Sequence, residues 1–390
     1  EDLRTKVDQA YQCAKVAASE EPIGLAPTPT VEDRITVELK DDFRGRSMAD
    51  KQALAERYNA ILLAYSDKIV DTNFHYQDSF SRRIFANSEG SYIDEERPSI
   101  VLFGMAVARD GDNVQQTWES CAGPNGFDYV QDREALFETA ARHAVELLSA
   151  ETVKGGEYPV VINPLLAGVF IHEAFGHLSE SDFIYENPRA QEMMVLGRRF
   201  GRDILNVFDD GDVTGLRGTH KYDDEGTPTG RTDLIKEGVL VGRLHNRETA
   251  AKMGESPTGN ARALSYRHPP IVRMTNTAIA PGSTSFEDMI ADIELGVYAC
   301  DAYGGQTELE NFSFSSGYAY MIRNGEIAEM VKDVILAGNL FNTLMSIDAI
   351  GSDFEWTKTG GGCGKGGQSG LPVAMGAPHI RIQNVVIGGR

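Results

Sequence analysis

Tyr158-Pro-Val-Val-Ile-Asn-Pro-Leu-Leu-Ala-Gly-Val-Phe-Ile-His-Glu-Ala-Phe-Gly-His-Leu-Ser-Glu-Ser-Asp182 is the stretch on which the reading of this chain turns. Val160 to Ile162 reads as a short buried strand. Asn163 suits a helix N-cap, and Pro164 suits the first helical position, where a missing N–H costs nothing. The helix then runs apolar from Leu165 to Ile171 and ends in His172-Glu173-x-x-x-His177. An apolar helix delivering two histidines and a carboxylate is the pattern expected of a buried metal site. The spacing sets a condition on it. Five residues of straight α-helix turn through roughly 500°, which leaves the two imidazoles roughly 140° apart. They converge only if the helix widens locally into a π-turn, and Gly176 makes that distortion easier. The alternative is two unrelated histidines, one buried and one at the helix end.

A catalytic zinc needs a third protein ligand and an open position. On residues alone the candidates are Glu180, Asp182, His220 and Cys363. Cys363 lies in Thr359-Gly-Gly-Gly-Cys-Gly-Lys-Gly-Gly-Gln368, a glycine-rich strap that lets backbone approach a metal or substrate closely. The competing reading of that strap is a surface loop with an incidental thiol. A phosphate-binding loop is excluded, because the Gly-Lys is not followed by Ser or Thr and a helix.

Working outward, the N-terminal half reads as α+β. A short helix is expected from Leu3 to Ala18, then a proline-rich connector through Glu20-Glu21-Pro22 to Pro29. A helix capped by Ser47 follows, with Leu54, Tyr58, Ile61, Leu62 and Tyr65 on one face. Alternating runs at 69–76, 81–86, 91–93 and 100–108 predict an antiparallel meander, and 133–148 returns to helix. After about residue 200, short strands alternate with glycine turns, predicting a strand-rich, barrel-like second domain. Short helices are expected at Glu248–Met253, Phe286–Ile293 and Leu340–Ile347. The fold class is therefore α+β, an N-terminal antiparallel sheet with helices and a strand-rich C-terminal domain. The expected division is 1–200, ending with the metal-binding helix, and 201–390, supplying the Gly-rich Cys loop, with the boundary within 190–225. The segment Asp209 to Gly215 reads as an acidic exposed turn, lacking the spaced ligands of a calcium loop.

Composition bounds the function. The 390 residues carry 37 Lys+Arg against 58 Asp+Glu, a net charge of −21, which argues against a nucleic-acid or anionic-membrane partner. No apolar run reaches the ~18–20 residues of a membrane span. The four cysteines, Cys13, Cys121, Cys300 and Cys363, are too scattered for a disulfide framework, so a cytoplasmic location is expected. The first residue is Glu1, from which an N-terminal domain lacking its native start is expected.

His172-Glu-Ala-Phe-Gly-His177 with Glu180 and Asp182, together with Cys363-Gly-Lys-Gly-Gly-Gln368, resembles the TldD/PmbA family of metallopeptidases. Ala302-Tyr-Gly-Gly305, Phe312-Ser-Phe-Ser-Ser316, Ala319 to Gly325 and Leu336-Ala-Gly-Asn339 carry the same resemblance, which covers most of residues 130–390. The intact His-Glu-x-x-x-His motif is similar to that of the catalytic, TldD-like type. The resemblance implies Zn²⁺ held by His172, His177 and Cys363, with Glu173 as general base. It implies a peptidase acting on peptides or unfolded polypeptide, working as a homodimer or as a heterodimer with a PmbA-type subunit. Two alternatives are carried beside it: a zinc amide hydrolase acting on a small modified peptide or metabolite, and a non-catalytic regulatory subunit. Further roles remain open at four positions. Glu180 and Asp182 either orient the imidazoles or are solvated at a helix end. His220 either donates to an oxyanion or is structural, and Lys365 either holds a substrate carboxylate or is solvated.

Overall fold

The computed structural model describes residues 2–17, 23–308 and 310–388. Helix α1 (Leu3–Val16) begins where the sequence places it; Ala18 and the Glu20–Pro22 part of the connector lie outside the described residues. Strand β1 (Glu32–Ile35) and helix α2 (Met48–Ala64) follow. Ser47 caps α2 through a capping box, exchanging hydrogen bonds with Asp50.

The alternating text then forms a meander of β2 (Ile69–Ala86), β3 (Tyr92–Asp110) and β4 (Asn113–Gly123). The four expected runs merge into two long strands, because β2 and β3 keep their antiparallel register from Asp71↔Val107 to Ala86↔Tyr92. Helix α3 (Glu134–Glu146) lies with α2 on this sheet. Tyr58, Phe74 and Phe137 meet at their shared core, with centroids 4.9 to 5.9 Å apart.

The second core is organised by β6 (Gly156–Ile162), reached through β5 (Glu151–Thr152), and by helix α4 (Pro164–Ile171). The buried run Val160-Val161-Ile162 lies between two neighbours, parallel to Leu295–Glu308 and antiparallel to Ile380–Gly388. From there the pairing passes to Ile335–Asn339, then to Asn311–Arg323, and back to Leu295–Glu308, closing a barrel of five strands. Phe170 of α4 packs edge-on against Phe312 and Phe314 of this barrel at 5.5 and 6.0 Å. A separate sheet pairs Val207–Asp210, Arg231–Lys236, Asn276–Ile279 and Ala374–Ala377. Short helices fall at Arg247–Met253, Phe286–Ile290 and Leu340–Met345, each within a few residues of expectation.

Two expectations need correction. The boundary expected within 190–225 falls inside one continuous hydrophobic core. That core runs from Val153 to Ile387, whereas the first runs from Phe43 to Leu148. The cause is β6, whose partner strands come from the end of the chain, so the metal-motif helix is built on the second core. Asp209 is not an exposed turn residue. It is buried and accepts hydrogen bonds from Asn260 Nδ2, Thr275 N and Thr277 Oγ1 at 2.9 Å each.

The cores meet along two seams. Arg247 forks onto Glu89 with two bonds of 2.7 Å, and Lys221 meets Asp33 at 2.6 Å. Elsewhere the strap before Cys363 runs beside β4. There Ala122 N–H donates to Lys358 O at 2.6 Å and Gly360 N–H to Ser120 Oγ at 3.0 Å. Among the described residues no helix is long and apolar enough to cross a membrane.

Candidate metal centre

Asn163 starts α4 by accepting from Leu166 N–H at 2.9 Å, and its own amide donates to Asp301 Oδ1 at 2.9 Å. Pro164 occupies the first turn. The α-helix then gives way to a π-turn over His172–Gly176, in which His177 N–H donates to His172 O. This widening is what the five-residue spacing requires. It brings the imidazole centroids to 5.3 Å. Gly176 sits against the buried Met274 thioether: a Cβ there would stand 2.0 Å from Sδ, so any side chain at this position would have to displace the thioether or the turn.

The strap is an ordered β-hairpin, not a surface loop. Gly362–Lys365 pairs with Gln368–Pro372, turning through Gly366 (φ +57°) and Gly367 (φ +76°). Two consecutive positive φ values are the geometry of a tight two-residue hairpin turn, which explains the Gly-Gly pair. The hairpin carries Cys363, 5% exposed, to the π-turn, where Sγ lies 3.3 Å from His177 Nε2. Donor atoms of His172, His177 and Cys363 all lie within 4.8 Å of one another, and they form the one such group among the described residues.

Charges around this group favour an ionised sulfur. Burial pushes the Cys363 thiol up, but hydrogen bonds and charge from His172 and His177 outweigh it and hold it at about 5. Burial likewise opposes protonation of His177, yet the Glu180 carboxylate and Cys363 raise it to about 11. Glu180 is 1% exposed; its Oε2 meets His177 Nδ1 at 3.0 Å and Lys365 Nζ at 3.0 Å. Full burial alone would push the Glu180 carboxyl up; His177 and Lys365 together hold it below the usual range.

The remaining sequence candidates divide. Glu173 turns its carboxylate to the same opening, Oε2 being 3.8 Å from His177 Nε2, with the side chain 35% exposed. Asp182 touches neither imidazole. It accepts from Lys365 Nζ at 2.6 Å and from Val272 N–H at 3.1 Å. Lys365 is neither solvated nor free for substrate, since Asp182, Glu180 and Val272 O take its ammonium and clip the hairpin to the segment after the π-turn. His220 lies outside the cluster: it is buried, with Nδ1 2.8 Å from Gly218 O. The sequence reading missed Met274 and Asp301, whose partners are 98 or more positions away in no readable pattern.

The residues present fit a zinc ion. Two imidazoles and a thiol held as thiolate match its borderline-soft preference, and the buried His172 Nδ1 has no protein partner among the described residues.

Two family models cover most of the chain: the PmbA/TldA metallopeptidase central domain at residues 41–150 and the C-terminal domain at 155–389. A metalloprotease of Synechocystis sp. is 47% identical over 100% of this chain and 84% of its own length. A zinc metalloprotease TldD homologue of Saccharolobus solfataricus is 31% identical over 95% of this chain and 82% of its own. Among solved structures, TldE of Thermococcus kodakarensis superimposes with a TM-score of 0.78 at 20% identity, covering 100% of this chain and 86% of that one. That likeness is one of fold. With matching models over both cores and relatives of this similarity, the chain belongs to the TldD/PmbA family of metallopeptidases.

Proposed function

We propose that the chain is a zinc-dependent peptidase in which His172, His177 and Cys363 hold Zn²⁺ and Glu173 is the general base. The convergence of the π-turn histidines with a hairpin thiol from the far end of the chain carries this reading. Zn²⁺ bound there supplies a Lewis acid that acidifies water toward neutrality and polarises a carbonyl. Glu173, on the residue after the first ligand and partly open to solvent, accepts the proton of the attacking water and returns it to the departing amine. Glu180 accepts from His177 Nδ1–H, which fixes the tautomer and leaves Nε2 as donor atom toward the metal. Lys365 neutralises the excess of buried carboxylate so that Glu180 stays ionised.

The substrate class is peptides or unfolded segments. The seat of the chemistry is the second core, at residues 153–387. We place the protein in the cytoplasm, as a homodimer or paired with a PmbA-type subunit; a relative of the same fold carries the name TldE. The deciding experiment is Glu173→Ala on zinc-loaded protein. Hydrolysis of an unfolded peptide should fall by roughly 10²–10⁴-fold, the usual span of general acid–base catalysis, while zinc content is retained. Peptidase activity at the wild-type rate would reject the mechanism.

A further inference from the structure

Where β4 faces the start of α4, a cleft of about 450 Å³ opens, lined in part by Glu119, Leu165, Glu355 and Lys358. Glu119 and Leu165 also line a smaller void of about 20 Å³, so the two spaces adjoin across these side chains. That space holds roughly one water-sized group. Its walls include Glu119, His143, Asp301, Trp118, Tyr303 and Tyr318, with no Lys or Arg.

The polar groups there are short of partners. The Glu119 carboxylate has no hydrogen bond or ion pair among the described residues; burial, with the Asp301 charge, pushes it up to about 8. Asp301 accepts from Asn163 through Oδ1, while Oδ2 has no partner among the described residues. Its own φ is +54°, an unusual conformation for a residue with a side chain. His143 is 5% exposed, yet neither ring nitrogen is hydrogen-bonded among the described residues. Its ring contacts Tyr318 at 4.0 Å. Burial, with Arg142 nearby, lowers it to about 4, so the imidazole is neutral and able to accept.

Burial raises both Glu119 and Asp301, and repulsion from Asp301 adds to it at Glu119, so in the empty void Glu119 keeps its proton. An entering cation relieves that repulsion and takes Glu119 to its carboxylate. With a neutral imidazole and aromatic walls, the site favours a donor-only cation over anions. The void is too small for a planar guanidinium but matches a –NH₃⁺ head, whose methylene stem the cleft accommodates. We infer that this void and cleft bind a primary alkylammonium group, its head among Glu119, His143 and Asp301. From Leu165 the helix climbs to His172 over roughly 10 Å at ~1.5 Å per residue, the reach of about three extended peptide residues at ~3.3 Å each. Resting on the peptidase reading, the ligand is a substrate lysine or amino terminus a few residues from the scissile bond.

The test uses n-butylammonium, n-butylguanidinium and n-butanol, titrated by calorimetry or ligand-observed NMR into zinc-loaded wild type and Glu119→Gln. Butylammonium should bind wild type at least tenfold more tightly than either analogue, and E119Q should lose at least tenfold of that affinity. Equal binding of all three probes by wild type overturns the inference without any variant; unchanged affinity in E119Q overturns it where that variant folds. In cleavage assays, KM for a lysine-containing peptide should rise at least tenfold in E119Q relative to its norleucine counterpart. A protein that binds butylammonium selectively but hydrolyses no peptide would leave this site standing and remove the peptidase reading instead.

Discussion

His177 Nε2 and Cys363 Sγ, 186 positions apart in the chain, stand 3.3 Å from one another. Neither local element brings them together alone. The π-turn aims the imidazole, the Gly-Gly turn sharpens the hairpin that carries the thiol, and Lys365 anchors that hairpin to Glu180 and Asp182. The contact therefore reports that the whole second core has formed.

The first prediction concerns that contact. Cys363→Ser replaces a soft thiolate by a hard, neutral hydroxyl at the same place. Zinc should be lost at a chelator concentration that leaves wild type loaded, with far-ultraviolet circular dichroism unchanged. Because it removes a donor and not a supporting group, the loss should exceed the ~10–100-fold typical of outer-shell changes. Equal zinc retention by both proteins would remove Cys363 from the ligand set.

Glu180→Gln tests the support behind His177. The amide keeps the shape and can still accept a hydrogen bond, but the buried charge facing His177 and Lys365 is gone. Zinc affinity should fall by about 10–100-fold, measured by competition with a fluorescent chelator. A change under twofold would mean that Glu180 serves the Lys365 clip alone.

Much of this was legible in residues, and for stated reasons. Asn163-Pro164 announced a helix start, and the His172/His177 spacing demanded a π-turn that the structure contains. The barrel-like second half followed from glycine-punctuated short strands. The domain boundary was not legible, since β6 looks local in sequence while its partners are Leu295–Glu308 and Ile380–Gly388. Strand partners of that separation leave no periodic trace. The same holds for Lys365, read as holding a substrate carboxylate or as solvated but laid by the hairpin on Glu180, and for Asp209, whose acidic run hid a buried acceptor of Thr275 and Thr277.

Gly176→Ala should be costly although alanine is the better helix former. Its Cβ would stand 2.0 Å from Met274 Sδ, so the π-turn or the core beneath it must shift. Overpacking of this kind typically costs about 1–3 kcal/mol, readable as a lowered urea midpoint. Trimming the obstacle with Met274→Ala should make the double variant more stable than the sum of the two single losses predicts. Strict additivity would place the cost of alanine somewhere other than this contact.

His143 sets an acid limit on the fold. Burial, with Arg142 beside it, lowers its pKa from the ordinary 6.5 to about 4. Between those values the unfolded chain takes up a proton that the folded chain refuses, so unfolding is favoured as pH falls. The contribution is intact above about pH 7 and is lost progressively down to about pH 4. His143→Gln cannot titrate, so in zinc-loaded protein its urea midpoint should fall less than that of wild type between pH 7 and pH 4.5. The two midpoints should draw together on acidification; parallel pH profiles would show that His143 is as readily protonated in the folded chain as in the unfolded one.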